Sequence, residues 1–247
     1  MLNRNYKTKK MVNAYVMMLI IFIIFITAFF LMLKYNVEGE TNLPFELKNI
    51  KLISTATYNT KETDTEEYNL NLIQNNDLFF TFVKNSNNKK QEIIKSIEFT
   101  NFKITRNSEK GTINIYKPDQ ETGKYLYKEE NIAQDIKYVG TDSTDVAKLN
   151  VNNQGGTIGF SIATINLSEI LINKNEKIQL DGTLLKKATI ELEDIKANAN
   201  FDIIIETESG NKFKANVSIE LPQEDITEIG VSSTEDIDTE NIVFKRI

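Results

Sequence analysis

The sequence predicts an all-β protein: a single N-terminal transmembrane helix followed by an antiparallel β-sandwich ectodomain, built as one unit or as two tandem sandwich units. Three observations lead there. Residues 14–33 form one unbroken apolar run, apolar and polar residues alternate with period two from residue 45 onward, and polar turns rather than helical crossovers separate the alternating segments.

The apolar run reads AYVMMLIIFIIFITAFFLML, 20 residues in which Thr27 is the one clearly polar side chain. At about 1.5 Å per residue it reaches roughly 30 Å, the thickness of a bilayer's hydrocarbon core. Arg4, Lys7, Lys9 and Lys10 precede it and the first acidic residue is Glu38, which predicts a cytoplasmic N-terminus and an extracytoplasmic C-terminal body. Tyr15 and Tyr35 suit headgroup depth at its two ends. A cleaved signal peptide has a shorter apolar region and small residues at its cut site. The flank FFLMLKYNVEGE has no A-x-A pattern, and there is no cysteine to carry a lipid, so an uncleaved signal anchor is expected.

The layout that follows is a cytoplasmic tail at 1–10, a transmembrane signal anchor at 11–34 and a stalk at 35–44 that ends at Pro44. A first β-sandwich unit covers 45–139 and a second covers 140–247. With the four basic residues of the leader set aside, 25 basic side chains face 35 acidic ones, a net charge of −10 that disfavours nucleic acid. A cysteine-free exported domain relies on its apolar core alone, which fits a bacterial cell membrane better than a disulfide-forming secretory pathway. The abundance of Asn, Ile and Lys has the look of an AT-rich bacterial coding bias.

Strands are expected in ELKNIKLIS at 46–54, YNLNLIQ at 68–74 and LFFTFV at 78–83, with TKETDTEE at 60–67 as a polar loop. The cluster Asn75-Asn76-Asp77 reads as the turn of a hairpin joining the last two strands. Phe79 falls on the face opposite Phe80 and Phe82, as in a sheet covered on both sides. After a polar loop at 84–91, further strands are IKSIEFTNFKIT at 94–105 and GTINIY at 111–116. Ile132 and Ile136, four apart in KEENIAQDIK, suggest a short helix over 128–137, and residues 140–156 are turn-rich.

TIGFSIATINL at 157–167 is a strand, and Ser168 before EILIN opens a helical turn. KIQLDG at 177–182, KKATIELEDIKA at 186–197, NFDIIIET at 200–207 and KFKANVSIEL at 212–221 are strands, the last two joined by the turn ESGN at 208–211. Residues 222–241 carry seven acidic residues and no base, a solvated loop or exposed edge, before a final strand in NIVFKRI. IEFTNFK at 97–103 and IELEDIK at 190–196 share three identities at an offset of 93 residues, which hints at duplication.

The absence of His and Cys removes the usual general base, thiol nucleophiles and the commonest zinc ligands. No glycine-rich phosphate loop occurs. S-x-x-K spacings at Ser86–Lys89 and Ser209–Lys212 lie in polar turns without K-T-G, so they carry no catalytic weight. Leu221-Pro222 is not followed by the residues of a sortase signal, and the apolar run lacks the acidic residue of a type IV pilin. Asp236, Asp238 and Glu240 alternate within 222–241 and offer hard oxygen ligands for Ca²⁺ without an EF-hand glycine, which leaves the metal assignment open.

No catalytic residue, cofactor-binding residue or cofactor is assigned. The expected role is non-enzymatic: a membrane-anchored extracytoplasmic β-sandwich module that contacts the bilayer through residues 14–33 and an unspecified protein or cell-envelope partner through its sheet edges and loops. One alternative is a carbohydrate-binding surface module using Tyr116, Tyr125, Tyr127 and Tyr138, because Trp is absent. The other is a carboxylate-based envelope hydrolase, for which 35 acidic residues single out no pair.

Overall fold

The computed structural model describes residues 2–62, 66–88, 92–141, 149–175, 183–239 and 241–247. The chain divides into two units, Met1–Thr41 and Asn42–Ile247.

The first unit is one helix, α1 (Leu2–Glu38), longer than the apolar run at both ends, so residues 35–38 of the expected stalk continue the helix. Gly39 stops it with a left-handed φ of 74°, and its N–H donates to Tyr35 O at 2.9 Å. Thr27 Oγ1 donates to Ile23 O at 2.8 Å, so the polar side chain inside the run is satisfied by its own helix. The stretch Met11–Glu38 is long and apolar enough to cross a bilayer, and each of its side chains is exposed.

The second unit is mostly β. Its first sheet contains β1 (Phe45–Glu62), β2 (Glu67–Lys84), β4 (Thr112–Tyr116), β7 (Gly155–Ile165), β8 (Glu169–Asn173) and β11 (Val231–Ile237). Their order is β11-β1-β2-β7-β4, with β8 also on β2. The second sheet runs β12 (Lys245–Arg246), β10 (Lys212–Leu221), β9 (Ala197–Thr207), β3 (Ile94–Thr105), β5 (Ile136–Gly140), β6 (Leu149–Val151). Pairing is antiparallel except between β5 and β6.

The expected hairpin at 68–83 is corrected: residues 67–84 are a single strand that runs straight through Asn75-Asn76-Asp77. The hairpin is instead β1 with β2, in register from Phe45↔Lys84 to Glu62↔Tyr68. Two things hold β2 extended. Its far edge is paired along most of its length, by β7 from Gln74 to Val83 and by β8 from Glu67 to Asn71. The polar side chains that read as a turn are buried and bonded to one another: Ser54 Oγ donates to Asn76 Oδ1 at 2.7 Å, Gln74 Nε2 to the same oxygen at 3.0 Å, and Thr55 Oγ1 to Asn75 Oδ1 at 2.7 Å.

These amides divide the interior in two. On one side Leu78, Phe80, Phe82, Ile158 and Phe160 of the first sheet share a cluster with Phe99, Phe201, Ile203 and Val217 of the second. Ring centroids are 4.8 Å apart for Phe80–Phe99, 5.0 Å for Phe99–Phe160 and 5.3 Å for Phe160–Phe201. A register shift between Thr100 and Lys103, with Asn101 at φ 56°, lets both Phe99 and Phe102 reach Phe160. On the other side Leu70, Leu72 and Ile172 pack with Leu184, Leu185, Ile190, Ile195 and Ile226.

Other expectations are corrected by the same contacts. EILIN is strand β8, because it continues the line of β7 along β2 across a break at 166–168. Residues 186–197 are not one strand. They hold the end of helix α2 (Thr183–Lys187) and all of α3 (Leu192–Ile195), whose Leu184, Leu185 and Ile195 cover the second cluster. Residues 128–137 are not a helix but a 3-10 turn, Glu129–Asn131, leading into β5, where pairing with β3 takes over. The matched segments 97–103 and 190–196 lie in strand β3 and around helix α3, so they are not structural repeats. A division at residue 140 would cut both sheets, since β2 pairs β7 and β3 pairs β9. The expected strand at 177–182 lies outside the described residues. The strands expected at 94–105, 111–116, 157–167, 200–207 and 212–221 form as β3, β4, β7, β9 and β10, with β7 running Gly155–Ile165 and β9 beginning already at Ala197, and residues 208–211 make the turn between β9 and β10.

Candidate functional site

The side of β2 turned away from the main core carries Ile73, Asn75, Asp77 and Phe79, and β7 brings Gly159, Ser161 and Ala163 beside them. Residues 117–131 lie over this surface. They begin with a tight turn in which Asp119 Oδ1 accepts from the Thr122 N–H at 2.9 Å and its hydroxyl at 2.7 Å. Gly123, at φ 68°, donates to Asp119 O at 2.8 Å. The far end is pinned to β4 by Lys117 N to Asn131 O at 3.0 Å and Ala133 N to Ile115 O at 2.9 Å.

This segment sets Tyr125 against Phe79, with ring centroids 6.2 Å apart, and Tyr127 edge-on to Tyr116 at 5.2 Å. Tyr138 arrives from β5 in the other sheet. Its hydroxyl donates to Gly159 O and accepts from Gly159 N at 3.3 Å. Gly159 has no room for a side chain, because a Cβ would sit 2.2 Å from Leu78 O and 3.0 Å from the Tyr125 hydroxyl.

The result is an open groove of ≈340 Å³ walled by Phe79, Tyr125, Tyr138, Ile158 and Gly159, with Asp119, Gln120, Asn150 and Thr157 also lining it. Of the four tyrosines named by the sequence, Tyr125 and Tyr138 meet in this groove. Tyr116 is fully buried, and Tyr127 lies beneath with Asp77. Burial raises the pKa of Asp77, opposed by Ser161, Asn75 and Tyr127 beside it. Asn75 Nδ2 donates to Asp77 Oδ1 at 3.2 Å. Burial also pushes Tyr125 and Tyr127 upward and Tyr138 up to about 12, so these phenols are neutral donors near pH 7. Hydrogen bonds from Thr122 hold Asp119 below the ordinary carboxylate range, which keeps it ionised. A groove with aromatic walls, a fixed carboxylate and amide side chains is suited to holding an amphipathic molecule.

The other candidates do not converge here. Ser209 Oγ donates to the Glu92 carboxylate at 2.8 and 2.7 Å and ties down the β9–β10 turn. Ser86 lies in a polar turn, and Lys89 is outside the described residues. Asp238 is exposed and accepts from Asn241 Nδ2 at 3.3 Å, whereas the Asp236 side chain and Glu240 are outside the described residues. Among the described residues no group of three or more His, Cys, Asp or Glu could hold a metal ion. Asp119, Asn150 and Gly159 were not named as site residues by the sequence, and Phe79 was read there as core rather than as the wall of a groove. The isolated glycine inside TIGFSI was the available signal, since glycine in a strand marks a close approach. Comparisons with protein-family models, curated proteins and solved structures find no match to this chain.

Proposed function

We propose that this chain is a single-pass protein of a bacterial cell membrane, with its N-terminus cytoplasmic and its β-rich body extracytoplasmic, acting by contact with a protein or envelope component rather than by catalysis. The observation that carries this reading is the helix: over residues 11–38 its side chains are exposed on every face, and the apolar run at 14–33 is a surface stable in lipid and not in water. Arg4, Lys7, Lys9 and Lys10 support the inside position of the leading segment. Aromatic packing between the two sheets supports a sandwich for the body. A chain without His or Cys, whose described groove is walled by neutral tyrosines, favours binding over turnover.

Protease added to intact cells tests the arrangement. The body should be digested while the cells remain sealed, and carbonate washing should leave the undigested chain in the membrane pellet. A body cut only after lysis, or a chain released by carbonate, would sink the proposal.

A further inference from the structure

We propose that the groove between Phe79, Tyr125 and Thr157 is a glycan subsite that takes an uncharged or amino-substituted pyranose ring; this rests on the reading of the body as an extracytoplasmic contact module. A pyranose has one apolar C–H face and a girdle of hydroxyls, and the groove supplies a counterpart to each. Phe79 and Tyr125 give an aromatic wall. Asp119, Gln120 and Asn150 give acceptors and donors around it, and the Asp119 carboxylate is held in place by Thr122. The volume of ≈340 Å³ lies at the small end of ligand pockets, the scale of a ring rather than of a folded partner.

Charge selects the kind of sugar. Among the described residues no Lys or Arg lines this groove and one carboxylate does, in a chain of net charge −6, which disfavours an anionic ring and favours a neutral or amino sugar. A second hollow of ≈210 Å³ shares Gln120 and Leu149 with the first and adds Lys117, Asp135 and Lys137. A ligand of more than one ring would lay its next ring there, against mixed charge.

The test uses the full chain in nanodiscs, titrated with chitotetraose (neutral), its de-acetylated form (cationic) and oligogalacturonate (anionic), and read by calorimetry and by tyrosine fluorescence. Saturable binding of the first two and none of the third is expected. Tyr125→Ala should weaken binding by about tenfold or more, and Tyr125→Phe, which keeps the ring, should stay within about threefold. Thr157 is exposed on β7, so Thr157→Arg should fill the groove mouth and abolish binding with an unchanged circular dichroism spectrum. Asn150→Ala, also at an exposed position, should weaken binding without touching the core and covers the case in which Tyr125→Ala fails to fold. Saturation by none of the three sugars, preference for oligogalacturonate, or binding unchanged by Thr157→Arg would overturn the subsite. None of these outcomes bears on the protease result, because protein in nanodiscs presents its body whichever side it occupies in the cell.

Discussion

At the scale of single residues, Asp77 is a carboxyl whose surroundings oppose its usual ionised chemistry. It is a carboxylate under a layer of tyrosines, faced by Asn75, Ser161, Tyr125 and Tyr127. Burial raises its pKa, so the native state binds its proton more tightly than the unfolded chain does. The stabilisation this gives is complete below the unfolded value of 3.8 and is lost as pH rises through the raised native value. Asp202 and Glu206 behave in the opposite sense. For Asp202, burial is outweighed by hydrogen bonds from Lys214, Asn216 and Asn101; for Glu206, the Lys95 hydrogen bond leads. Their stabilisation is present above the unfolded values and fades in acid. A comparison of Asp77→Asn with the parent isolates the first effect. In urea unfolding across a pH series, the variant should gain stability relative to the parent as pH rises from below 3.8 toward neutral. A constant difference across the series would show that Asp77 titrates alike in both states.

At the scale of elements, the polar row Ser54, Gln74 and Asn76 separates two apolar clusters along one hairpin. Its members satisfy one another, with Asn76 Nδ2 also donating to Gln74 Oε1 at 3.2 Å. Removing Asn76 takes away the partner of the buried Ser54 hydroxyl and of Gln74 Oε1, while Gln74 Nε2 keeps its bond to Asn75 O at 3.1 Å. Asn76→Ala is therefore expected to lower the unfolding free energy measured in urea by about 1–3 kcal/mol. The triple change Ser54→Ala, Gln74→Leu, Asn76→Leu should cost less than the single one, because it removes every orphan and joins the clusters. A triple variant weaker than Asn76→Ala would show that the row supports strand register instead. The same row explains what was legible in advance. Strands β3, β9 and β10 bury mainly one face, and their alternation shows it, whereas β7 is buried on both faces over Ile158–Thr164 and reads as a strand from its continuous apolar and β-branched run. Asn75-Asn76-Asp77 follows local turn chemistry, and only the pairing of β2 with β1 and β7 reveals that these residues are extended. Residues 168–173 and 186–197 are too short for pattern to outweigh tertiary packing. The groove was less legible than the fold: Tyr125 and Tyr138 meet only because residues 117–131 fold over one sheet while β5 joins the other.

At the scale of the whole molecule, the account requires that the apolar run at 14–33 lie in lipid and that the body occupy the side away from the basic leader. Because the chain contains no cysteine, single cysteines report position without background. Thr8→Cys marks the leader, and Glu121→Cys marks an exposed position of the body. A membrane-impermeant maleimide applied to intact cells is the most direct measurement. The account predicts that Glu121→Cys is labelled in sealed cells and Thr8→Cys only after permeabilisation; labelling in the reverse order would contradict it.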